Sequence, residues 1–163
     1  MPRFRFPCLS VLLAAACTWG PSAYAQATRL DDSTSPRAQV NADFRQAQML
    51  DNQTISLPFG HVEYRLATAA YVGKQARIYY VIPLAVAGLR SPAGMQVQWR
   101  SSGQFQPGMG RPGDRVLVWT GVVRAPWITE NFDLQLRIDR RELQMGQGGN
   151  LRFESYFEIE TQP

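Results

Sequence analysis

Cysteine and histidine are nearly absent from this sequence. Its 163 residues include two cysteines, Cys8 and Cys17, and one histidine, His61. A typical zinc site draws three or four ligands from these residue types, and a cysteine nucleophile or a serine activated by histidine needs them too. The sequence also lacks the G-x-S-x-G elbow of serine hydrolases. We therefore expect no catalytic residue, no metal site and no cofactor, and we interpret His61 as a solvated turn residue.

Long hydrophobic runs are missing as well. The longest apolar stretch near the N-terminus, residues 9–16, is shorter than the roughly 20 residues that cross a bilayer. Arg3 and Arg5 precede this stretch, and Ala23-Tyr24-Ala25 follows it with small residues at the positions that signal peptidase reads. The order predicts a signal peptide over residues 1–25 and a protein exported to the periplasm or secreted.

A second processing route competes with the first. Residues Leu13 to Cys17 resemble a bacterial lipoprotein signal, in which the cysteine becomes the lipid-bearing first residue. That signal has its leucine three residues before the cysteine, whereas Leu13 stands four before Cys17. Cleavage after Ala25 is the expectation. The alternative is a lipoprotein anchored to the membrane surface through Cys17.

The chain that remains after cleavage has no cysteine and little net charge. Both cysteines precede the cleavage site, so no disulfide can form in residues 26–163. Without Arg3 and Arg5 the chain carries 15 basic and 13 acidic side chains. The basic residues are scattered and form no stripe interleaved with aromatics, so we expect no nucleic-acid partner.

The segment after the signal, residues 26–53, is a polar N-terminal arm or linker. Its first half buries too little apolar surface to offset the entropy of ordering and is predicted to be flexible. Two structures compete for the second half. Ser35-Pro36 is typical of a helix start, whereas Val40, Ala42 and Phe44 alternate as in a short strand.

From residue 54 to 163 the pattern has a period of two and predicts a single β domain. Residues 132–139 and 151–159 alternate most clearly, with Phe132 inward and Asp133 outward. Residues 78–86 and 116–123 are apolar on both faces, which is typical of strands in the middle of a sheet or under a cover. The remaining predicted strands cover residues 55–57, 62–66 and 96–100, separated by breaks such as Pro58-Phe59-Gly60.

About seven short strands without a strong helix between them predict an all-β fold. The expected architecture is an antiparallel β-sandwich of the immunoglobulin-like type. A small closed β-barrel is the runner-up.

Neither the carboxylates nor the glycine-rich segment indicates a catalytic or nucleotide-binding site. Asp133 and Asp139 fall on the outward phase of their strand, where acids are usually surface partners of arginines. Residues 108–113 match G-x-G-x-x-G, but a strand follows them instead of the helix that a dinucleotide site requires. We interpret that segment as a hairpin loop.

Exposed aromatics are the remaining candidates for a site. Trp119 is out of phase with Val116 and Val118, and Trp127 lies in a predicted loop. Exposed aromatics beside arginine are typical of protein interfaces and sugar-stacking surfaces. The candidate contact residues are Trp127, Arg124, Trp119 and Tyr79.

The leading hypothesis is therefore a non-catalytic module that acts by protein–protein contact in the cell envelope or an extracellular assembly. Its partner would be another envelope or extracellular protein, or a second copy. In one version Val40, Ala42 and Phe44 of the arm add as a strand to a neighbouring sheet. A module that binds carbohydrate or a small ligand through the aromatics is the alternative, and a membrane is involved only if Cys17 is lipidated.

Overall fold

The computed structural model describes residues 26–36, 40–41, 44–144 and 151–162. The predicted signal peptide, including Cys8 and Cys17, lies outside the described residues, as does Ala42. No helix in the described ranges is long and apolar enough to cross a membrane.

The described residues form eleven β-strands and four short 3₁₀ helices, with no α-helix among them. The strands are β1 (Thr28–Arg29), β2 (Val40–Asn41), β3 (Gln48–Met49), β4 (Thr54–Ala67), β5 (Gln75–Val81), β6 (Met95–Ser101), β7 (Gly108–Gly110), β8 (Arg115–Val122), β9 (Trp127–Asp139), β10 (Arg152–Phe153) and β11 (Tyr156–Thr161). The 3₁₀ helices are Phe44–Gln46, Ala69–Tyr71, Pro92–Gly94 and Arg140–Glu142.

Two antiparallel sheets contain most of these strands. One has four strands in the order β1-β11-β5-β8, and the other has five in the order β3-β4-β9-β6-β7. A separate two-stranded ribbon pairs β10 with β2. The predicted all-β sandwich is confirmed, whereas the alternative of a closed barrel is wrong, because each sheet ends in an edge strand instead of joining the other.

The space between the sheets holds an aromatic core. Tyr64 and Phe132 from the five-stranded sheet meet Tyr80 and Phe157 from the four-stranded sheet, and all four are fully buried. The ring centroids of Phe132 and Phe157 are 5.9 Å apart, and those of Tyr64 and Phe157 are 4.9 Å apart. Most of these pairs meet edge to face, as aromatic quadrupoles prefer.

Three hydroxyl groups share the middle of this core. The Tyr80 hydroxyl donates to Ser155 Oγ at 2.7 Å, and Tyr64 Oη and Ser155 Oγ are 2.9 Å apart. Burial raises the pKa of Tyr64, and raises that of Tyr80 well above its usual value. The hydroxyls therefore satisfy one another in a region that water does not reach.

One predicted break lies inside a strand. Pro58-Phe59-Gly60, predicted as a turn, is a bulge within β4, where the register with β9 shifts between Pro58 and Gly60. Gly60 has a φ of 75°, a conformation that glycine adopts without strain. The predicted strands 55–57 and 62–66 are therefore one long strand.

The position of β8 also differs from the prediction. The four-stranded sheet ends at β8, although its sequence is apolar on both faces and predicted a central or covered strand. Leu117 is 42% exposed and Val122 is 44% exposed. Strand β5, the other doubly apolar segment, lies in the middle of its sheet between β11 and β8, and it ends at Val81, before Pro83.

The N-terminal segment connects the two sheets. Thr28 and Arg29 pair with β11, and the Leu30 amide donates to the Phe157 carbonyl at 2.8 Å. The next residue turns to the other sheet, where the Asp31 carbonyl accepts from the Ala67 amide at 2.9 Å. Leu30 itself is buried in the core. Residues 28–31 thus cover one side of the sandwich.

Candidate functional site

A cleft of about 370 Å³ opens at the edge of the sandwich, between the second half of β8 and the start of β9. It brings together three of the four contact residues predicted from sequence. Its lining consists of Gln104, Trp119, Gly121, Val122, Arg124, Ala125, Trp127 and Ile128.

Trp119 reaches the cleft because β8 contains a bulge. Trp119 pairs with Ile78 and Leu117 pairs with Tyr79, so Val118 is an extra residue without a partner on β5. The extra residue turns the Trp119 side chain to the inner face, where it is half-buried against the core. A Cβ on Gly121 would lie 3.1 Å from the Trp119 ring. Glycine at 121 therefore leaves the indole room to lie across the strand.

Arg124 reaches the cleft from the connection between β8 and β9, and Trp127, which was predicted to lie in a loop, is the first residue of β9 and pairs with Ala67. The Thr68 amide donates to the Pro126 carbonyl, and the Thr68 hydroxyl donates to the Ala125 carbonyl, both at 2.8 Å. Thr68 is fully buried, so these bonds hold the connection against the core. Trp127 remains 47% exposed, and Arg124 is exposed beside it.

A buried carboxylate supports the side of the cleft that Gln104 forms. Glu130 lies on the inward phase of β9 and is 1% exposed. Its Oε2 accepts from the Ser101 hydroxyl at 2.7 Å, and its Oε1 accepts from the Gln104 amide. Charge-assisted bonds of this kind are among the stronger ones. Glu130 therefore positions Gln104 at the cleft through the loop after β6.

Gly103 is the tightest point of this loop, and replacing it with alanine should destabilise the domain. A Cβ there would collide with the Glu130 carboxylate and displace it from its two donors. We expect Gly103→Ala to lower the free energy of unfolding by about 1–3 kcal/mol, the usual cost of an unpaired buried polar group. Urea unfolding measures it. Ser102→Ala, at an exposed neighbour, is the control, and equal stability of the two variants would contradict the packing argument.

The outer edge of β8 is partly capped. The Val118 carbonyl accepts from the Gln106 amide at 2.8 Å. Beyond this point, the Val123 amide donates to the Lys74 carbonyl at 3.0 Å, so the main-chain groups of Val123 point toward the β5 side. Along a strand, successive residues direct these groups to opposite sides. Gly121 therefore bonds to β5, like Val123, whereas the N–H and C=O groups of Thr120 and Val122 point outward from the open edge of the sheet.

Three cations flank this open segment. Arg77 is the register partner of Thr120, Lys74 bonds through its carbonyl to Val123, and Arg124 follows directly. All three are exposed. Among the described residues none of them forms an ion pair. The edge therefore carries positive charge, chiefly from Lys74 and Arg124, because Arg77 lies opposite Glu160 of β11.

Tyr79, the fourth predicted contact residue, is not in the cleft. It lies on the outer face of the four-stranded sheet, where its hydroxyl donates to Glu160 at 3.0 Å and the Arg115 guanidinium stacks 3.4 Å from its ring centre. Arg115 also bonds Glu158 and Glu160 at 2.7 Å. The ring is therefore engaged in a surface ion-pair cluster within the chain.

The residues proposed for strand addition occupy separate places. Val40 lies in β2, where it pairs with Phe153 of β10 in the same chain. Phe44 begins a 3₁₀ helix, and its side chain is partly buried against the core. Donation of this segment to another molecule would first have to open these contacts.

The titratable residues considered for catalysis do not converge. Asp133 is exposed on the outer face of the five-stranded sheet, and His61 Nδ1 lies 2.6 Å from its Oδ1. Glu130 faces the opposite side of the same strand. Within the described residues, no group of three or more His, Cys, Asp or Glu side chains could hold a metal ion.

Sequence reasoning missed Glu130 and Gln104. Glu130 has the same phase as Ile128 and Phe132, so the alternation of β9 was a signal that could have placed it inward. No comparable pattern marks Gln104, which lies in a loop and reaches the cleft through a tertiary contact.

No protein-family model matches this chain, and the curated proteins contain no match to it.

Proposed function

We propose that this protein is an exported, non-catalytic module that binds another envelope or extracellular protein through the cleft at the β8 edge. The observation that carries the proposal is the convergence of Trp119, Trp127 and Arg124 in one cleft. Tryptophan and arginine dominate the energetics of protein interfaces, especially where they line a shared pocket.

The surroundings of the cleft support a protein partner. Val122 and Trp127 are exposed apolar side chains within it, and Leu117 extends the exposed apolar surface along β8. An apolar edge strand without a cover invites pairing with another chain, and natural proteins usually protect such edges. A partner that covers β8 would account for a strand whose sequence is apolar on both faces.

Site-specific cross-linking tests the proposal. With benzoylphenylalanine in place of Trp127, illumination of the cells that make the protein should yield a discrete protein adduct, because the replaced ring faces the partner. Arg124→Glu in the same chain should remove the adduct. Met109, 57% exposed on β7, supplies the control position. An adduct of the same mass from both positions, or none from position 127, would refute a protein partner at the cleft.

A carbohydrate is the second candidate ligand, because the side chains that line the cleft are also of the types that bind sugars. Two indole rings lie beside the amide of Gln104 and the guanidinium of Arg124, and sugars are bound by ring stacking combined with polar side chains. Tryptophan fluorescence titrated with a glycan panel separates the candidates. A saturable response that Trp127→Ala abolishes would favour the glycan.

A further inference from the structure

We propose that the partner's contact segment is an extended acidic peptide that adds as a fifth strand to the outer edge of β8. This inference rests on the proposed function and specifies how the cleft is used. Strand addition takes its affinity from main-chain hydrogen bonds and its specificity from pockets for alternate side chains. The β8 edge offers both within four residues.

Two residues of β8 offer main-chain hydrogen-bonding groups to an added strand. Thr120 and Val122 each direct one N–H and one C=O away from β5. The bulge at Val118 and the Gln106 amide close the edge on the N-terminal side, so an added strand has a defined starting point. A peptide that pairs with Thr120 and Val122 would make up to four hydrogen bonds and extend the sheet to five strands.

The side-chain pocket lies where such a strand would point. Trp119 and Gly121 pair with the buried residues Ile78 and Ala76, so both belong to the inner face of the sheet. A peptide residue opposite Gly121 would direct its side chain to the same face. The Trp119 indole lies across Gly121 and forms the near wall of this position, and Trp127 and Ile128 line the far wall. An apolar side chain fits this position.

The charge around the edge selects the peptide's other residues. Lys74 and Arg124 carry positive charge at the C-terminal end of the open segment, and neither forms an ion pair among the residues described. Arg77, opposite Thr120, adds a third cation, although Glu160 lies opposite it on β11 and also bonds Arg115. Carboxylates on the peptide would complement this charge. The expected segment therefore alternates apolar residues with Asp or Glu.

Selection from a displayed library of random nonapeptides tests the inference on the purified exported protein. We expect enrichment of sequences in which apolar residues alternate with Asp or Glu over at least four positions. A synthetic peptide of the enriched sequence should bind at least about tenfold more weakly to Trp127→Ala and to Arg124→Glu, since both side chains are hot-spot types. Met109→Ala, at an exposed apolar residue of another edge strand, should leave its binding unchanged.

Backbone methylation of the peptide separates strand addition from other ways of filling the cleft. Methylating one peptide nitrogen that faces β8 should weaken binding at least about tenfold, whereas methylating a nitrogen that faces away should not. Equal effects of the two would overturn strand addition, as would no enrichment over the Trp127→Ala protein. A dimer that Trp127→Ala dissociates would assign the edge to a second copy instead. If cross-linking at position 127 yields the protein adduct but the library yields no enriched peptide, the proposed function stands and only this inference is wrong.

Discussion

Phe132→Ala should lower the free energy of unfolding by about 3–5 kcal/mol, the usual loss for a buried phenylalanine. Phe132 is fully buried, and its ring contacts rings from both sheets. The centroid distances are 5.3 Å to Tyr80 and 5.9 Å to Phe157. With no cysteine after residue 25, apolar burial must hold the sandwich together without a disulfide. A domain of this size has about 5–15 kcal/mol of stability in total, so the loss is a large share.

Asn131→Ala is the matched control for this change. Asn131 precedes Phe132 on β9, and its side chain is exposed on the opposite face. A surface substitution of this kind usually stays within about 0.5 kcal/mol. Urea unfolding followed by tryptophan fluorescence measures both variants. Similar midpoints for the two would mean that Phe132 does not join the sheets as described.

Alkaline pH should unfold the protein through Tyr64 and Tyr80. Burial raises the pKa of both hydroxyls in the folded state, whereas in the unfolded chain tyrosine ionises near pH 10, as usual. The stability that the two groups provide is therefore fully present below about pH 10. It decreases above that pH because the unfolded state loses protons that the folded state retains. The slope is about 1.4 kcal/mol per pH unit for each tyrosine, until the folded pKa is reached.

Tyr80→Phe should reduce this alkaline slope by about half, since one of the two raised groups is removed. At neutral pH the same variant should be about 1 kcal/mol less stable, because Ser155 Oγ loses the Tyr80 donor. Asn131→Ala, which removes no titratable group from the exposed face of β9, is the control and should leave the slope unchanged. Urea titrations between pH 8 and pH 11 measure it, and equal slopes for Tyr80→Phe and the unmodified protein would contradict the role of burial.

The strands were the most predictable part of the fold. Along β9 the burial alternates from Trp127 to Ile138, as the spacing of Phe132, Leu134, Leu136 and Ile138 predicts. The break at Pro58-Phe59-Gly60 was placed correctly but given the wrong structure. A bulge and a turn use the same residue types, and only the pairing partner, here β9, decides between them.

The candidate site was predicted in part. Composition singled out Trp127, Arg124 and Trp119 as contact residues, and the structure brings these three together. Tyr79 looked equivalent in sequence but stacks under Arg115 on another face. The bulge at Val118 changes which face each residue of β8 presents, and it cannot be read from a chain whose two faces are equally apolar.

The sequence by itself determined the all-β class, the inward and outward faces of β9, and the absence of cysteine after residue 25. Each of these follows from the sequence alone, namely from the two-residue period of a strand and from the amino-acid composition of the chain. Only the tertiary structure decided that β8 ends its sheet, that Glu130 holds Gln104, and that two tryptophans share one cleft. These depend on which strands become neighbours, and that is set by packing between segments far apart in the chain.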